Sequence, residues 1–180
     1  MSLELGDSAI NFDLPNANEQ NGGKSVNLEQ SAEANGLVVV FECNHCPYVI
    51  ASIDRMNHIA EFCAANEIGF VGINSNDASV YANDSFEHMV KRAEKGMPYP
   101  YLFDESQSIA KAYGAKRTPE FFLFDSDRDL IYRGRMDDSP KDPSEVTSTE
   151  LKDAIDAMIN GAAITVKMTE SIGCSVKWKV

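Results

Sequence analysis

Two cysteines separated by two residues are the part of this sequence best suited to chemistry. Cys43 and Cys46 enclose Asn44 and His45. Thiols at this spacing in the first turn of a helix can close a small disulfide ring. Because a helix N-terminus presents free N–H groups and the positive end of its dipole, it also stabilises a thiolate there. The pair therefore predicts thiol–disulfide chemistry.

The spacing also predicts different roles for the two thiols. The first cysteine of such a pair is normally the more exposed one, so we expect Cys43 to attack and Cys46 to resolve the mixed disulfide. An imidazolium beside a thiolate lowers the thiol pKa, and we expect His45 to make the pair relatively oxidising in this way. Glu42, interpreted as an exposed carboxylate, is expected to raise the Cys43 pKa more weakly.

The cysteine pair lies between a predicted strand and a predicted helix. Residues 37–41 are apolar throughout, as in a central strand covered on both faces. The long helix that follows is indicated by apolar residues on one helical face, namely Val49, Ile53, Met56, Ala60 and Cys63. At this junction a helix N-terminus would reach the thiols.

Shorter patterns predict the remaining elements. We expect strands in an N-terminal hairpin and later in the chain, at 10–14, 25–28, 68–73, 101–103, 121–124 and 130–132. We expect helices over 84–95 and 106–113, and a last helix that begins at a capping box of Thr147 and Glu150. A β-α-β unit followed by a β-hairpin and a closing helix predicts an α/β fold, with a mixed central β-sheet and helices on both faces.

Length and composition favour one globular domain. The chain has 180 residues, of which 43% are hydrophobic, and this is enough for a sizeable core. We expect residues 1–180 to form a single domain, with an N-terminal hairpin extension at 1–35 and a C-terminal tail at 162–180. The net charge of −12 argues against binding to nucleic acid or to an anionic membrane surface, because phosphates require clusters of Lys and Arg.

The N-terminus and the cysteines indicate the redox compartment. The segment MSLELGDSAINF lacks the basic and apolar regions of a signal peptide, which predicts a cytoplasmic protein. Cytosolic thiols stay reduced unless they bind metal or carry out redox chemistry. A structural zinc site needs four ligands, and the sequence has no second Cys-x-x-Cys pair. We therefore predict no metal and no cofactor. Cys174 has two interpretations, a packed residue near the chain end or a third redox thiol that reaches the site.

Several motifs resemble those of known families. A strand, a Cys-x-x-Cys pair, a long helix and a later Thr118-Pro119 before a strand resemble the thioredoxin fold. The N-terminal Gly6-Asp7 and Phe12-Asp13-Leu14-Pro15 resemble the alkyl hydroperoxide reductase/thiol-specific antioxidant branch. The motif CNHCPYV at 43–49, with segments at 72–77, 132–138 and 172–179, resembles one peroxiredoxin-like subfamily of thioredoxin-domain proteins. These motifs extend over nearly the whole chain.

The resemblance implies which residues surround the cysteines. It implies a cis Pro119 that faces the pair and shapes a substrate groove, with Thr118 and Pro47 at the substrate-binding site. Relatives of this kind carry a cysteine directly before the Thr-Pro pair, where this chain has Arg117. We expect Arg117 to hold thiolates or an anionic substrate instead.

The sequence leaves two geometries open at Cys46-Pro47. If Cys43 is the N-cap, Cys46 lies within the first helical turn. If the helix begins at Pro47, a favoured first position, Cys46 is the cap, and the arrangement resembles a peroxiredoxin. However, peroxiredoxins place a threonine where this chain has Cys43, and an arginine near the position of Pro119. Both differences favour thioredoxin chemistry.

These observations together favour an enzyme, a thiol–disulfide oxidoreductase that uses the Cys-x-x-Cys pair. A thiol peroxidase that reduces hydroperoxides is the first alternative. A non-catalytic binding domain with structural or zinc-binding cysteines is the second. The implied partners are a disulfide-containing protein or a peroxide as substrate, and a thioredoxin or glutathione system as electron donor. The oligomeric state stays open, with a homodimer as one alternative.

Overall fold

A mixed five-stranded β-sheet forms the centre of the computed structural model, which describes residues 2–180. Within these residues the strands are β1 (Asp13–Pro15), β2 (Ser25–Asn27), β3 (Gly36–Phe41), β4 (Ile68–Asn74), β5 (Tyr101–Phe103), β6 (Arg117–Thr118), β7 (Glu120–Phe124), β8 (Leu130–Gly134) and β9 (Cys174–Ser175). The helices are α1 (Leu28–Ser31), α2 (Pro47–Ala65), α3 (Phe86–Glu94), α4 (Ser108–Tyr113) and α5 (Glu150–Ile159), with 3-10 turns at Ala82–Asp84 and Pro143–Glu145. No helix among the described residues is long and apolar enough to cross a bilayer.

The central sheet has the strand order β5-β4-β3-β7-β8. Strand β3 pairs in parallel with β4 and antiparallel with β7, while β5 is parallel to β4 and β8 is antiparallel to β7. The end of β3 is flanked on both sides, because Phe41 lies opposite Ile73 of β4 and Glu120 of β7. This pairing brings the cysteine segment after β3 beside Thr118 and Pro119, which precede β7.

The side chains of β3 alternate between two apolar cores. Val38 and Val40 pack with residues of α2, α3 and α5 on one face of the sheet. Leu37, Val39 and Phe41 pack with α4 and the N-terminal hairpin on the other face. Every residue of β3 is buried, as a strand covered on both faces requires. The predicted α/β architecture, with a mixed central sheet, helices on both faces and an N-terminal hairpin, is confirmed.

Two features of the C-terminal part differ from the expectations. Helix α5 begins at Glu150 with Thr149 as its N-cap, and the predicted capping box of Thr147 and Glu150 is wrong. The Glu150 carboxylate accepts two hydrogen bonds from Arg135, each at 2.9 Å, and this charged partner takes the place of the backbone N–H. The tail has no strong sequence pattern, yet its strand β9 pairs antiparallel with β6.

Candidate active site

Cys43 and Cys46 lie in the loop between β3 and α2, and both are buried, reduced thiols. Helix α2 begins at Pro47, so Cys46 is its N-cap residue. The structure therefore has the second of the two geometries, in which proline occupies the first helical position and its missing N–H costs no hydrogen bond. Cys46, and not Cys43, occupies the N-cap position, and its side chain makes no capping hydrogen bond.

Thr118, the last residue of β6, contacts the cysteine pair and precedes the cis-proline. The Thr118-Pro119 peptide bond is cis, as the resemblance implies. The Thr118 hydroxyl lies 3.6 Å from the Cys43 sulfur, and the Thr118 carbonyl oxygen lies 3.4 Å from the Cys46 sulfur. The carbonyl can accept from Cys46 only while that thiol is protonated. One residue thus contacts both thiols, through its side chain and its backbone.

A buried ion pair supports the short strand that carries Thr118. The Glu120 carboxylate accepts hydrogen bonds from the backbone N–H groups of Lys116 and Arg117, at 2.9 and 3.2 Å, and it pairs with Arg133 at 2.9 Å. Hydrogen bonds to a charged acceptor are stronger than neutral ones, so Glu120 fixes β6 beside the cysteines. Sequence patterns do not reveal this role, because they show Glu120 only as a polar residue at the start of an apolar strand.

His45 is paired with a buried carboxylate that sequence patterns also do not reveal. Its Nδ1 atom is in close contact with a carboxylate oxygen of Asp84, and its ring stacks on Tyr81 with centroids 5.5 Å apart. Asp84 also accepts from the backbone N–H groups of Asn44 and His45, at 2.7 and 3.2 Å, and from the Asn76 amide at 2.9 Å. Asp84 therefore fixes both the imidazole and the backbone between the two cysteines.

A group of side chains at the cysteine loop could also ligate a metal, namely Cys43, His45 and Asp84. One sulfur, one ring nitrogen and one carboxylate oxygen of these residues lie within 4.8 Å of one another, and all three are zinc-ligand types. Asp84, however, is already engaged by His45 and by N–H donors. A zinc ion would have to replace the contact between His45 and Asp84. The arrangement is therefore a hydrogen-bonded network and does not have the open geometry of a coordination site.

Glu42 is not the exposed carboxylate that the sequence suggests. It is fully buried, it pairs with Arg92 at 2.5 Å, and it accepts from the Tyr99 hydroxyl at 2.8 Å. Arg92 also donates to the carbonyl oxygen of Cys43 at 3.2 Å, and its guanidinium lies 4.9 Å from the ring centroid of Tyr101. The expectation for Glu42 is therefore wrong. Its charge is compensated by Arg92, and the pair supports the backbone of Cys43.

The two thiols of the pair have pKa values shifted in opposite directions, that of Cys46 downward and that of Cys43 upward. A hydrogen bond from the Cys43 thiol outweighs burial and, with help from Cys174 and the backbone N–H of Val49, lowers the pKa of Cys46 to about 4. The same bond to Cys46, together with burial and the Asp84 carboxylate, raises the pKa of Cys43 well above the ordinary thiol range. The predicted lowering of the Cys43 pKa is therefore wrong, because the shared proton and the nearby carboxylate favour its neutral form.

A third sulfur, that of Cys174, reaches the pair from the tail. In the antiparallel pair of β6 and β9, Cys174 lies opposite Thr118. Cys174 packs against the core that contains the other cysteines, and the Thr118 carbonyl oxygen lies 3.4 Å from the Cys46 sulfur. Burial and the nearby Cys46 thiol raise the pKa of Cys174 to about 11. The structure thus brings the thiol to the site, and a redox role for it stays a prediction.

Arg117 is directed at the tail. Its guanidinium donates to the Ser171 carbonyl oxygen at 3.2 Å and meets the Glu170 carboxylate at 3.4 Å. These contacts hold the segment that precedes β9, and they differ from the expected contacts with thiolates or an anionic substrate. Substrate binding by Arg117, Thr118 and Pro47 stays a prediction.

The chain is similar to known proteins over nearly its whole length. Residues 4–151 match the Redoxin family. An uncharacterized conserved protein from Geobacillus kaustophilus, known from a crystal structure, is 43% identical with a TM-score of 0.90, and the match covers 98% of this chain and 93% of that one. A hypothetical protein from Sinorhizobium meliloti 1021 is 37% identical with a TM-score of 0.90, and the match covers 100% of this chain and 97% of that one.

A more distant structure has the same fold. It is that of a protein from Chlorobium tepidum assigned as the thiol:disulfide interchange protein DsbE, with 20% identity and a TM-score of 0.67, covering 88% of this chain and 99% of that one. No curated protein matches the chain. The matches agree with the mixed α/β fold of this chain. The chain belongs to the Redoxin family and has a thioredoxin-like, peroxiredoxin-like fold.

Proposed function

We propose that this protein is a thiol–disulfide oxidoreductase whose Cys43–Cys46 pair cycles between dithiol and disulfide. The proposal is carried by the position of both sulfurs at the N-terminus of α2, where each contacts Thr118, the residue that precedes cis Pro119, at 3.6 Å for Cys43 and 3.4 Å for Cys46. Contacts with the same residue keep the two sulfurs near each other, as a disulfide between them requires. Membership in the Redoxin family supports redox chemistry in general, because its members are usually oxidoreductases or peroxidases.

The pKa order reverses the roles that the spacing alone suggests. The Cys46 thiolate attacks one sulfur of a disulfide substrate, forms a mixed disulfide and expels the other sulfur as a thiolate. Cys43 then loses its proton and attacks the Cys46 sulfur, which closes the Cys43–Cys46 disulfide and releases the reduced substrate. The His45–Asp84 pair accepts that proton, since one ring nitrogen of His45 and one carboxylate oxygen of Asp84 lie within 4.8 Å of the Cys43 sulfur.

A thiol peroxidase is the second candidate, and the position of Pro47 favours it. Cys46 directly precedes the proline at the start of α2, which is the arrangement that resembles a peroxiredoxin. In this reaction the Cys46 thiolate attacks a peroxide oxygen and becomes a sulfenic acid, while an alcohol or water leaves. The Cys43 thiol then attacks the sulfenic sulfur, releases water and forms the same disulfide.

Turnover in either reaction requires a reductant for the Cys43–Cys46 disulfide. A thioredoxin or glutathione system is the electron donor that we propose, since both reduce disulfides by thiol exchange. Such donors are abundant in the cytosol, which is consistent with the proposed cytoplasmic location.

Redox titration of the purified protein tests the leading proposal. Equilibration in glutathione buffers should show a two-electron transition that Cys43→Ser or Cys46→Ser abolishes. Cys63→Ser is the matched control, because Cys63 is buried in α2 and belongs to its apolar face. This variant should keep the transition.

Two further measurements separate the alternatives. Catalytic consumption of hydroperoxide in the presence of a thioredoxin-type reductant would favour the peroxidase. Bound zinc in the purified protein, with no Cys43–Cys46 disulfide after oxidation, would replace both enzyme proposals with the binding-domain alternative.

A further inference from the structure

Three cysteines, namely Cys43, Cys46 and Cys174, form a cluster around Thr118. The Cys46 sulfur lies 3.4 Å from the Thr118 carbonyl oxygen, and the Cys43 sulfur lies 3.6 Å from the Thr118 hydroxyl. Cys174 lies opposite Thr118 in the β6–β9 pair and packs against the core that contains the other two cysteines. Cys46 therefore has two cysteines nearby as disulfide partners.

The tail reaches this cluster by adding a strand to β6. Cys174 lies opposite Thr118, and the Val176 N–H donates to the Lys116 carbonyl oxygen at 2.9 Å. Gly173 packs so closely on Thr118 that a Cβ at this position would lie 1.9 Å from the Thr118 carbonyl oxygen. Only glycine allows this approach of two backbones, so the placement of Cys174 depends on Gly173.

Contacts on both sides of β9 hold the tail in place. Beyond the strand, the Lys177 carbonyl oxygen accepts from the Gln107 amide at 2.8 Å, and the Lys177 N–H donates to Asn76 at 2.8 Å. Before the strand, Arg117 donates to the Ser171 carbonyl oxygen. The position of β9 is therefore specified on both flanks.

Strand β9 occupies a backbone edge that an incoming peptide would use. Extended peptides bind strand edges through main-chain hydrogen bonds. Here β9 already pairs with Arg117 and Thr118, and it places Cys174 opposite Thr118, whose carbonyl oxygen lies 3.4 Å from the Cys46 sulfur. The tail thus has the geometry of an internal substrate whose thiol is in place for exchange.

We propose that Cys174 is a third reactive thiol that exchanges with the Cys43–Cys46 disulfide, so that the oxidised protein includes a Cys46–Cys174 disulfide. The Cys174 thiol loses its proton, its sulfur bonds to the Cys46 sulfur, and the Cys43–Cys46 bond breaks. The Cys43 sulfur leaves as a thiolate and takes up a proton. One disulfide replaces another, so no external oxidant or reductant is consumed. The inference rests on the proposed function, which supplies the first disulfide.

Peptide mapping of the full chain tests the exchange. The protein is oxidised with diamide, free thiols are alkylated at low pH, and trypsin is added. A Cys43–Cys46 disulfide stays within peptide 25–55, whereas a disulfide to Cys174 links that peptide to 168–177. We expect both species in the wild type. In Cys43→Ser, where Cys46 and Cys174 remain, the linked peptides should become the main product.

Two variants act as controls for this mapping. Cys174→Ser should lose the linked peptides and keep the Cys43–Cys46 disulfide. Cys63→Ser should give the wild-type pattern. If the wild type forms the Cys43–Cys46 disulfide while linked peptides are missing from both wild type and Cys43→Ser, this inference is overturned and the proposed function stands. If neither disulfide forms, the proposed function itself fails.

Gly173→Ala gives a second test that changes no cysteine. Its added Cβ must move β9 away from Thr118. Displacing reacting atoms by about 1 Å can cost up to about 10²-fold in rate. The linked peptides should therefore form at least about tenfold more slowly in Gly173→Ala/Cys43→Ser than in Cys43→Ser. An equal rate would show that β9 does not position Cys174 for the exchange.

Discussion

Arg92 and Glu42 form an ion pair, with a nitrogen–oxygen distance of 2.5 Å, beneath the loop that carries the reactive cysteines. Glu42 is fully buried and the Arg92 side chain is 11% exposed. Because Arg92 also donates to the Cys43 carbonyl oxygen, the pair joins α3 to the backbone of the cysteine loop. Buried charges of this kind are costly unless each keeps its partner.

Loss of one partner should therefore destabilise the protein strongly. Arg92→Leu leaves the Glu42 carboxylate buried without its counter-ion, and removal of one member of a buried pair typically costs about 3–5 kcal/mol. Urea unfolding of the reduced protein should show a fall of this size in the free energy of unfolding. Asp156→Asn, at the more exposed Lys152–Asp156 pair, is the matched control and should cost at most about 0.5 kcal/mol. Equal costs for the two variants would contradict the role of the buried pair.

The reduced protein should hold a thiolate well below neutral pH. The ultraviolet absorbance of thiolate should rise with pH around a midpoint near the Cys46 pKa of about 4. Cys46→Ser should remove this transition. Cys43→Ser should move it upward, because the hydrogen bond from Cys43 is the largest stabilising influence on the Cys46 thiolate. A wild-type midpoint near the free-thiol value of about 8.5 would rule out the assignment of Cys46.

Ionisation of Cys46 also determines whether the free energy of unfolding rises or falls with pH. Between a pKa of about 4 when folded and about 8.5 when unfolded, Cys46 binds fewer protons in the folded protein. Its contribution to the free energy of unfolding therefore grows as pH rises through this window and is lost as pH falls toward 4. The stability advantage of reduced wild type over Cys46→Ser, measured with urea, should be larger at about pH 8 than at about pH 5.

Replacing Arg117 tests whether its guanidinium stabilises a cysteine thiolate or holds the tail in place. Since its guanidinium bonds the Ser171 carbonyl oxygen, Arg117→Gln should leave the midpoint of thiolate formation unchanged. It should speed hydrogen exchange at the Val176 N–H, which belongs to the β6–β9 pairing. Arg128→Gln, on the turn between β7 and β8, is the control. An upward shift of the thiolate midpoint in Arg117→Gln alone would restore the expectation that Arg117 holds a thiolate.

The elements that flank the cysteines are predictable from local patterns. Burial on two faces requires a continuous apolar run, which marks β3, and burial on one helical face requires a period of about 3.6 residues, which marks α2. The structure confirms both elements, and it confirms the cis Pro119 implied by the family resemblance.

The partners that set the chemistry are not visible in local patterns. Asp84 and Arg92 contact the cysteine loop across 40 and 49 residues of sequence. Their positions depend on how α3 and the turn before it pack beside the completed sheet. Cys174 is equally hidden, because it reaches the site through the short β6–β9 pairing. The burial of Glu42 is hidden for the same reason, since its counter-ion lies in a distant helix.

Asp84 should control the proton affinity of Cys43, and its neutral analogue should make that thiol more acidic. Asparagine keeps an oxygen that can accept from the Asn44 N–H, but it removes the negative charge that helps to raise the Cys43 pKa. In a Cys46→Ser background, Cys43 is the remaining thiol of the pair. The pH at which its alkylation by iodoacetamide is half-maximal should therefore be lower when Asp84→Asn is added.

Mass spectrometry of the alkylated peptides separates Cys43 from Cys63 and Cys174 in this experiment. Asp129→Asn, on the turn between β7 and β8, provides the control for removing a carboxylate far from the cysteine loop. The Cys43 midpoint should be the same with and without it. If Asp84→Asn leaves the Cys43 midpoint unchanged as well, then burial and not the carboxylate holds the proton on Cys43. The His45–Asp84 pair would in that case serve to shape the loop, and the proton that Cys43 loses during ring closure would have to go to another acceptor.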